Sequence, residues 1–246
     1  MVAEDDDAEF LAWRDGVRKR LFNWQGQRFV YLALEGKAGE PLERQSKALF
    51  ARAATELHAF GFSLDQNVVR ARVFGRTREA RNAVSETRAR TFTGSARAAT
   101  SSFIAPAHFE SGADVALDLT AMSPPGDGAT RHVVEHEPQQ TFIRYLTWGP
   151  MVFLAGMTCE EHPTLKQQYE DILPRAGKLL AEAGCDWRNV VGISFFLHKD
   201  HDPNVLLTGV AKTVPVALDN AEIELVEGFS RPGKLVEIEI TARRSE

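Results

Sequence analysis

The chain has 246 residues, of which 43% are hydrophobic, and its formal net charge is -5. This length and apolar content suffice for two hydrophobic cores, each built from about 120 residues. The negative charge argues against a nucleic-acid-binding protein, because phosphate affinity depends on clustered Lys and Arg side chains. No apolar run approaches the length of a membrane span, so we expect neither nucleic acid nor a membrane as a partner.

The predicted elements of the first half alternate between helices and strands. Apolar residues at roughly helical spacing predict a helix over residues 8 to 22, which we expect to precede the first sheet as an addition. The helical period also predicts helices over residues 41 to 60 and 77 to 91. The strands predicted in this half are residues 28–34, 68–75, 98–104 and 114–122.

The second half follows a segment dense in turn-forming residues. Residues 123 to 128 read Ser-Pro-Pro-Gly-Asp-Gly, so residues 123–130 are predicted to link a domain of residues 1–122 to one of residues 131–246. After it, the pattern predicts a hairpin of residues 142–148 and 151–157, helices over 163–183 and 205–214, and strands over 190–197, 223–227 and 235–242. We expect Pro174 to kink the longer helix.

The two halves repeat one another. Leu117-Asp118-Leu119-Thr120-Ala121 reappears as Ile238-Glu239-Ile240-Thr241-Ala242, and Asn67-Val68-Val69 reappears as Asn189-Val190-Val191. Gly61 corresponds to Gly184, and Gln45 to Gln168, at a spacing from the Asn-Val-Val segments that differs by one residue between the halves. Because the matches keep one order, the sequence predicts a duplicated fold unit.

The cysteines and the N-terminal residues indicate a cytoplasmic protein. Cys159 and Cys185 match no zinc or redox motif, which is typical of core thiols in a reducing compartment. Residues 1–7 are acidic, whereas a secretory signal begins with basic residues.

Several segments of the second half resemble the YjgF/RidA superfamily of small trimeric deaminases, also called endoribonuclease L-PSP-like proteins. They are Phe153-Leu154-Ala155-Gly156, Leu179-Leu180-Ala181-Glu182-Ala183-Gly184, Phe196-Leu197-His198-Lys199-Asp200 and Leu235-Val236-Glu237-Ile238-Glu239-Ile240. The first half resembles the family more distantly. The resemblance implies an α/β (α+β) fold of two tandem YjgF/RidA-like, chorismate-mutase-like domains, each a mixed sheet with two helices on one face. It further implies a homo-oligomer, with a trimer favoured, and ligand clefts between neighbouring domains.

The resemblance also implies a set of site residues, which is divided between the halves. The Arg that binds a substrate carboxylate in the family falls on Arg97 in the first half and on or near Asn220 in the second. The Glu that handles a water falls on Ala116 and then on Glu237.

The remaining positions of the family's site divide in the same way. The Asn position matches Asn82, the Gly position matches Gly156, with Leu34 in the first copy, and the Tyr position becomes Phe142. We therefore expect a composite site with Arg97, Asn82 and the backbone near Ala99 from the first domain, and Gly156, Phe142 and Glu237 from the second. The sequence leaves open whether these two faces meet within one chain or between chains.

Each of these residues also has a plainer interpretation. Arg97 belongs to an arginine-rich segment that is typical of a solvated helix face, and Glu237 and Glu239 share one strand face that is also compatible with solvent. The cluster of His198, Asp200, His201 and Asp202 matches no metal motif; Asp200 is instead expected to cap the following helix. We expect His132 and His136 to be exposed, and Tyr145 and Trp148 to be packing residues.

These residues favour hydrolytic deamination of an imine or enamine of a small carboxylic acid. Arg97 would bind the carboxylate, Asn82 and the backbone near Ala99 would orient it, and Glu237 would activate water, with no cofactor and no metal. Two alternatives remain. Chorismatase-type hydrolases, which release pyruvate from chorismate, also resemble two fused YjgF-like domains but are much longer, and a ligand-binding protein without catalysis would keep the same fold.

Overall fold

The computed structural model describes residues 9–14, 16–126, 128–219 and 221–245. The first sheet contains six strands: β1 Glu9–Arg14, β2 Val17–Trp24, β3 Gln27–Glu35, β4 Val68–Gly75, β5 Ala99–Ile104 and β6 Val115–Met122. Three helices accompany it: α1 Leu42–Ala59, α2 Leu64–Asn67 and α3 Arg78–Thr91.

The second sheet contains seven strands and has two helices. The strands are β7 Arg131–Val134, β8 Tyr145–Trp148, β9 Met151–Leu154, β10 Met157–Thr158, β11 Val190–His198, β12 Glu222–Val226 and β13 Val236–Arg243. The helices are α4 Leu165–Glu182 and α5 Pro203–Thr213.

Both sheets have the same strand order, so the fold is duplicated as predicted. The first reads β1-β2-β3-β6-β4-β5 and the second β7-β8-β9-β13-β11-β12, with β10 paired to β13. Among the described residues, the only parallel pair of each sheet lies at one edge, β4 with β5 and β11 with β12. Each sheet is mixed, and each has its own hydrophobic core between sheet and helices.

Repeated residues make repeated hydrogen bonds. The Asn67 side chain accepts from the Ser63 amide and donates to the Met122 carbonyl, while the Asn189 side chain accepts from the Asp186 amide and donates to the Arg243 carbonyl. Each amide thus ties the start of one central strand to the end of its neighbour. These bonds give a physical reason for the repetition of Asn-Val-Val in the two halves.

The helix predicted over residues 8–22 is wrong, because the described part of this segment forms the hairpin β1–β2. Val17 and Leu21 are four residues apart, a spacing that satisfies a helix face and also keeps both residues on one face of a strand. Gln25 and Gly26 have φ of 53° and 75°, the conformation of a two-residue hairpin turn, and this turn joins β2 to β3.

Most other predicted elements are confirmed within a few residues. Helix α4 continues through Pro174, and the kink expected there stays a prediction. The residue that caps α5 is Asp202, whose carboxylate accepts from the Asn204 amide, rather than Asp200 as expected. Tyr145 and Trp148 are buried, as expected of packing residues. None of the helices in the described residues has the length and apolar character needed to span a bilayer.

The two sheets pack against each other through their helix-free faces. Two arginines of β4, Arg70 and Arg72, form ion pairs of 2.9 and 2.8 Å with Glu239 of β13. The arginine-rich segment is therefore not simply a solvated face, because these members join the first half of the chain to the second. Beside the ion pairs, the rings of Phe103 and Phe196 stack with centroids 3.9 Å apart.

Candidate functional site

A cleft of about 640 Å³ lies where the two halves of one chain meet. Helix α3 and strand β5 of the first half form one wall. Strands β10 and β13, helix α4 and the segments 136–144 and 230–234 of the second half form the rest. Among the predicted site residues, Glu237, Gly156 and Phe142 line this cleft together.

Glu237 is buried in the wall of the cleft, with only 6% of its surface exposed. Burial raises the pKa of this carboxyl from 4.5 to about 7, and the negative charge of Glu239 adds to the rise. A hydrogen bond with Ser101 and the charges of Lys234 and Arg88 oppose it. Near neutral pH the group can therefore both accept and return a proton.

Gly156 is a glycine because Glu237 and Ser101 occupy the space of a side chain there. A Cβ atom built on Gly156 would overlap the Glu237 carboxylate and the Ser101 hydroxyl. The backbone after β9 thus approaches the carboxylate closely, and the first half contributes the serine to the same contact.

Glu239, two residues further along β13, has a different environment. It is 1% exposed, and its carboxylate accepts a hydrogen bond from the Ser101 hydroxyl in addition to its ion pairs with Arg70 and Arg72. Burial alone would raise its pKa, but the two arginines outweigh burial and hold the pKa below its usual range. Both glutamates are therefore buried, contrary to the solvated alternative, and only Glu237 faces the cleft.

Two arginines of α3 face Glu237 from the first half. The Arg88 guanidinium donates to the Ser101 carbonyl at 2.8 Å, and Arg81 donates to the Ser102 hydroxyl. Burial lowers the pKa of Arg88 to about 10 and also lowers that of Arg81. No carboxylate of the described residues lies within ion-pair distance of either, which leaves them positioned for an anionic ligand.

The cleft as a whole is electropositive, although the chain is acidic. Seven cationic side chains and four acidic ones line it. The cationic ones are Arg81, Arg88, Arg144, Arg175, Lys178, Arg231 and Lys234. Such an excess of positive charge attracts anionic ligands.

The rim carries an aromatic side chain and a histidine. Phe142 is 39% exposed, and its ring meets the His136 ring edge to face, with centroids 4.9 Å apart. Burial lowers the pKa of His136, so the neutral imidazole is favoured. His136 thus belongs to the cleft, whereas the sequence predicted simple exposure.

Arg97 lies beside the cleft and is already paired. Its guanidinium forms an ion pair with Glu135 at 2.6 Å and donates to the Gln140 carbonyl at 2.8 Å. It borders a small recess that adjoins the cleft near Arg88. The sequence pattern correctly indicated the start of β5 as a border of the cleft. The Arg97 guanidinium, which was expected to bind substrate, is instead paired with Glu135.

Asn82 and Ala99 also lie outside the cleft lining. Asn82 is exposed on α3, where its side chain accepts from the Arg81 guanidinium at 3.0 Å, so it contacts a lining residue. Ala99 is fully buried in a hydrophobic cluster between the sheets. Asn220, the second-half counterpart of Arg97, lies outside the described residues.

In the first half, the position that corresponds to the Glu237 cleft is filled by aromatic rings. Ala116, which replaces the glutamate in the first half, is buried in a cluster with Phe74, Phe103, Phe196 and Phe229. Leu34, which replaces the glycine, lies in the core of the first half. Duplication has therefore kept an open cleft at one of the two positions and a packed interior at the other.

The sequence did not identify Arg81, Arg88, Ser101 or Lys234 as site residues. The signal available for Arg88 was its place four residues after Val84, on the buried face of an otherwise charged helix. Ser101 lies in a run of small hydroxyl residues in β5. No group of described residues has the composition and proximity of a metal site, including the segment from His198 to Asp202.

No protein-family model and no curated protein matches the chain. Solved structures do. Rv2704 from Mycobacterium tuberculosis, a member of the YjgF/YER057c/UK114 family, is 24% identical, covers 46% of this chain and 99% of its own, and has a TM-score of 0.42.

Two further structures match over a similar share. NMB1025 from Neisseria meningitidis, a YjgF protein, is 26% identical over 48% of this chain and 97% of its own, with a TM-score of 0.41. YyfA from Yersinia pestis, of the Rid protein family, is 16% identical over 46% of this chain and 99% of its own, with a TM-score of 0.42. Each of these structures is therefore similar to about half of this chain, whose two sheets have one strand order.

Proposed function

We propose that the cleft hydrolyses the imine or enamine of a small carboxylic acid and releases ammonia. The observation that carries the proposal is the buried Glu237, with a pKa of about 7, in one cleft with the buried Arg88 and the half-buried Arg81, which have no carboxylate partner among the described residues. A proton-transfer group beside a carboxylate-binding group is the minimum that this hydrolysis requires.

Arg81 and Arg88 bind the substrate carboxylate in this proposal, in place of Arg97. A guanidinium offers two parallel N–H donors to a carboxylate, and both side chains lie on the wall opposite Glu237. Phe142 covers the substrate at the rim, where an aromatic face suits a conjugated C=N system.

Glu237 then activates water. As a carboxylate it accepts a proton from a water molecule while the water oxygen attacks the imine carbon. The carbinolamine formed from the protonated imine receives that proton on nitrogen. The C–N bond then breaks as the hydroxyl becomes the carbonyl, the hydroxyl proton passes to Glu237, and ammonia and a 2-oxo acid leave. These transfers are favoured near the pKa of the group.

The test is ammonia release from freshly generated imines of small 2-oxo acids. Glu237→Gln is expected to lose about 10²- to 10⁴-fold in rate, as is typical for removal of a general acid/base. Arg81→Ala is expected to raise KM, and Arg97→Ala, the matched control, to leave KM nearly unchanged. Loss of activity in Arg97→Ala with full activity in Arg81→Ala would contradict the assignment of the carboxylate anchor.

The size of the cleft favours a second candidate, hydrolysis of chorismate. Its volume of about 640 Å³ exceeds the need of a three- or four-carbon acid, and Arg175 and Lys178 on α4 add a second group of cations for a second carboxylate. Pyruvate formed from chorismate, without ammonia release from imines, would favour this reaction. Binding of carboxylates with neither product would indicate a ligand-binding protein.

A further inference from the structure

Lys234 lies inside the cleft and forms no ion pair with any acidic residue that the structure describes. It lies in the segment between β12 and β13, and its Nζ donates to the Ser230 hydroxyl at 2.8 Å. The side chain is half-buried, although lysine is among the residues that are most often solvated. No carboxylate of the described residues lies within ion-pair distance, and Glu237 faces the same cleft.

The surroundings of Lys234 shift its amine towards the neutral form. Burial lowers its pKa, and the positive charges of Arg231 and Arg81 lower it further, while Glu237 and Glu160 oppose the change. An amine that is desolvated beside other cations is the usual form of a nucleophilic lysine. The anionic substrate that those cations attract would bring its electrophilic carbon to the same cleft.

We propose that Lys234 is a nucleophile that forms a Schiff base with 2-oxo acids, or with their imines, bound in this cleft. The inference deepens the proposed deaminase function and rests on it for the imine substrate. It adds a covalent route by which ammonia leaves before water attacks.

The steps balance without an oxidant or a reductant. The neutral Lys234 amine adds to the carbon of the protonated imine, forming a C–N bond while the C=N π electrons pass to the substrate nitrogen. A proton moves from the lysine nitrogen to that nitrogen, its C–N bond breaks, and ammonia leaves the Lys234 Schiff base. Glu237 takes a proton from water as water adds to the Schiff base. Glu237 then returns that proton to the lysine nitrogen, the C–N bond to Lys234 breaks as the hydroxyl becomes the carbonyl, the hydroxyl proton passes to Glu237, and the 2-oxo acid leaves the neutral Lys234 amine.

Reductive trapping tests the proposal directly. The full chain is incubated with pyruvate or 2-oxobutyrate and sodium cyanoborohydride, and the adduct is located by peptide mass spectrometry. One adduct per chain at Lys234 is expected. Lys178, which lines the same cleft but is exposed, serves as the internal control and is expected to remain unlabelled.

Lys234→Arg is expected to abolish the adduct while keeping the positive charge, with an unchanged melting temperature as the check on folding. Labelling of many lysines at equal rates, or no labelling of Lys234 in the wild type, would overturn the proposal. Ammonia release that persists in Lys234→Arg without trapping would leave the deaminase function standing and remove Lys234 from it. An adduct at Lys234 without ammonia release from imines would support the Schiff base and contradict the deaminase function.

Discussion

Replacing Glu237 with Gln should stabilise the protein at alkaline pH. Burial raises the pKa of this carboxyl from 4.5 to about 7, a difference of about 2.5 units. Each unit corresponds to about 1.4 kcal/mol, so ionisation of Glu237 costs the folded state about 3 kcal/mol. The pKa of Glu237 is higher in the folded state than in the unfolded state. The stability that the protonated carboxyl preserves is therefore fully present below pH 4.5 and is lost as pH rises through about 7. The neutral Gln keeps it at every pH.

Urea denaturation of wild type and Glu237→Gln at pH 4.5, 6, 7 and 8 measures this difference. The two proteins should have equal free energies of unfolding at pH 4.5, and the variant should be more stable by about 3 kcal/mol at pH 8. Glu239→Gln is the matched control on the same strand face. It leaves Arg70 without its carboxylate and Arg72 with only Glu222 at 3.5 Å, and should destabilise by about 3–5 kcal/mol. Equal stability of wild type and Glu237→Gln at pH 8 would refute the buried, raised-pKa carboxyl.

Three further predictions concern the surroundings of the site. Gly156→Ala should displace the Glu237 carboxylate, destabilise by about 1–3 kcal/mol through overpacking and remove turnover; ammonia release and thermal melting check it. Phe103→Ala should cost about 3–5 kcal/mol in urea denaturation, because its ring stacks on Phe196 across the two sheets; a loss below about 1 kcal/mol would argue against that packing. For His108, burial lowers the pKa, but Asp118 and Glu224 outweigh burial and raise it to about 10. The stability that the charged His108 contributes is present below pH 6.5 and is lost as pH rises through about 10. Between pH 7 and 10, urea denaturation should therefore show a larger loss of stability in wild type than in His108→Gln.

The duplicated fold could be predicted because local signals and the repeat agree. The Asn-Val-Val segments mark buried central strands, and their side-chain amides make the same contacts in both halves. The hairpin β1–β2 could not be predicted, because the spacing of Val17 and Leu21 fits both the period of a helix and that of a strand. The turns distinguish them: Gly16, with φ of 76°, lies between β1 and β2, and Gln25-Gly26 joins β2 to β3, although Gln is an uncommon residue at φ of 53°.

The candidate site was predictable only on its second-half side. Glu237 and Gly156 lie in segments with a specific pattern, and the structure brings them into contact distance of each other. The arginine that can bind a ligand is the one without a carboxylate partner. Whether an arginine has such a partner depends on residues far away in the sequence. Glu135, 38 positions away from Arg97, occupies its guanidinium, whereas Arg88 bonds to a carbonyl and stays available to a ligand.

Strand β13 also carries a consequence for how the protein is made on the ribosome. It lies between β11 and β9, so the second sheet remains in two pieces until residues 236–243 have been synthesised. The same eight residues contain Glu237, and Glu239, which binds the arginines of β4. Closure of the second sheet, the ion pairs of Arg70 and Arg72 with Glu239, and placement of the Glu237 carboxylate therefore all depend on the same late residues. A nascent chain that stops short of β13 would leave Arg70 without its carboxylate partner and the cleft without Glu237.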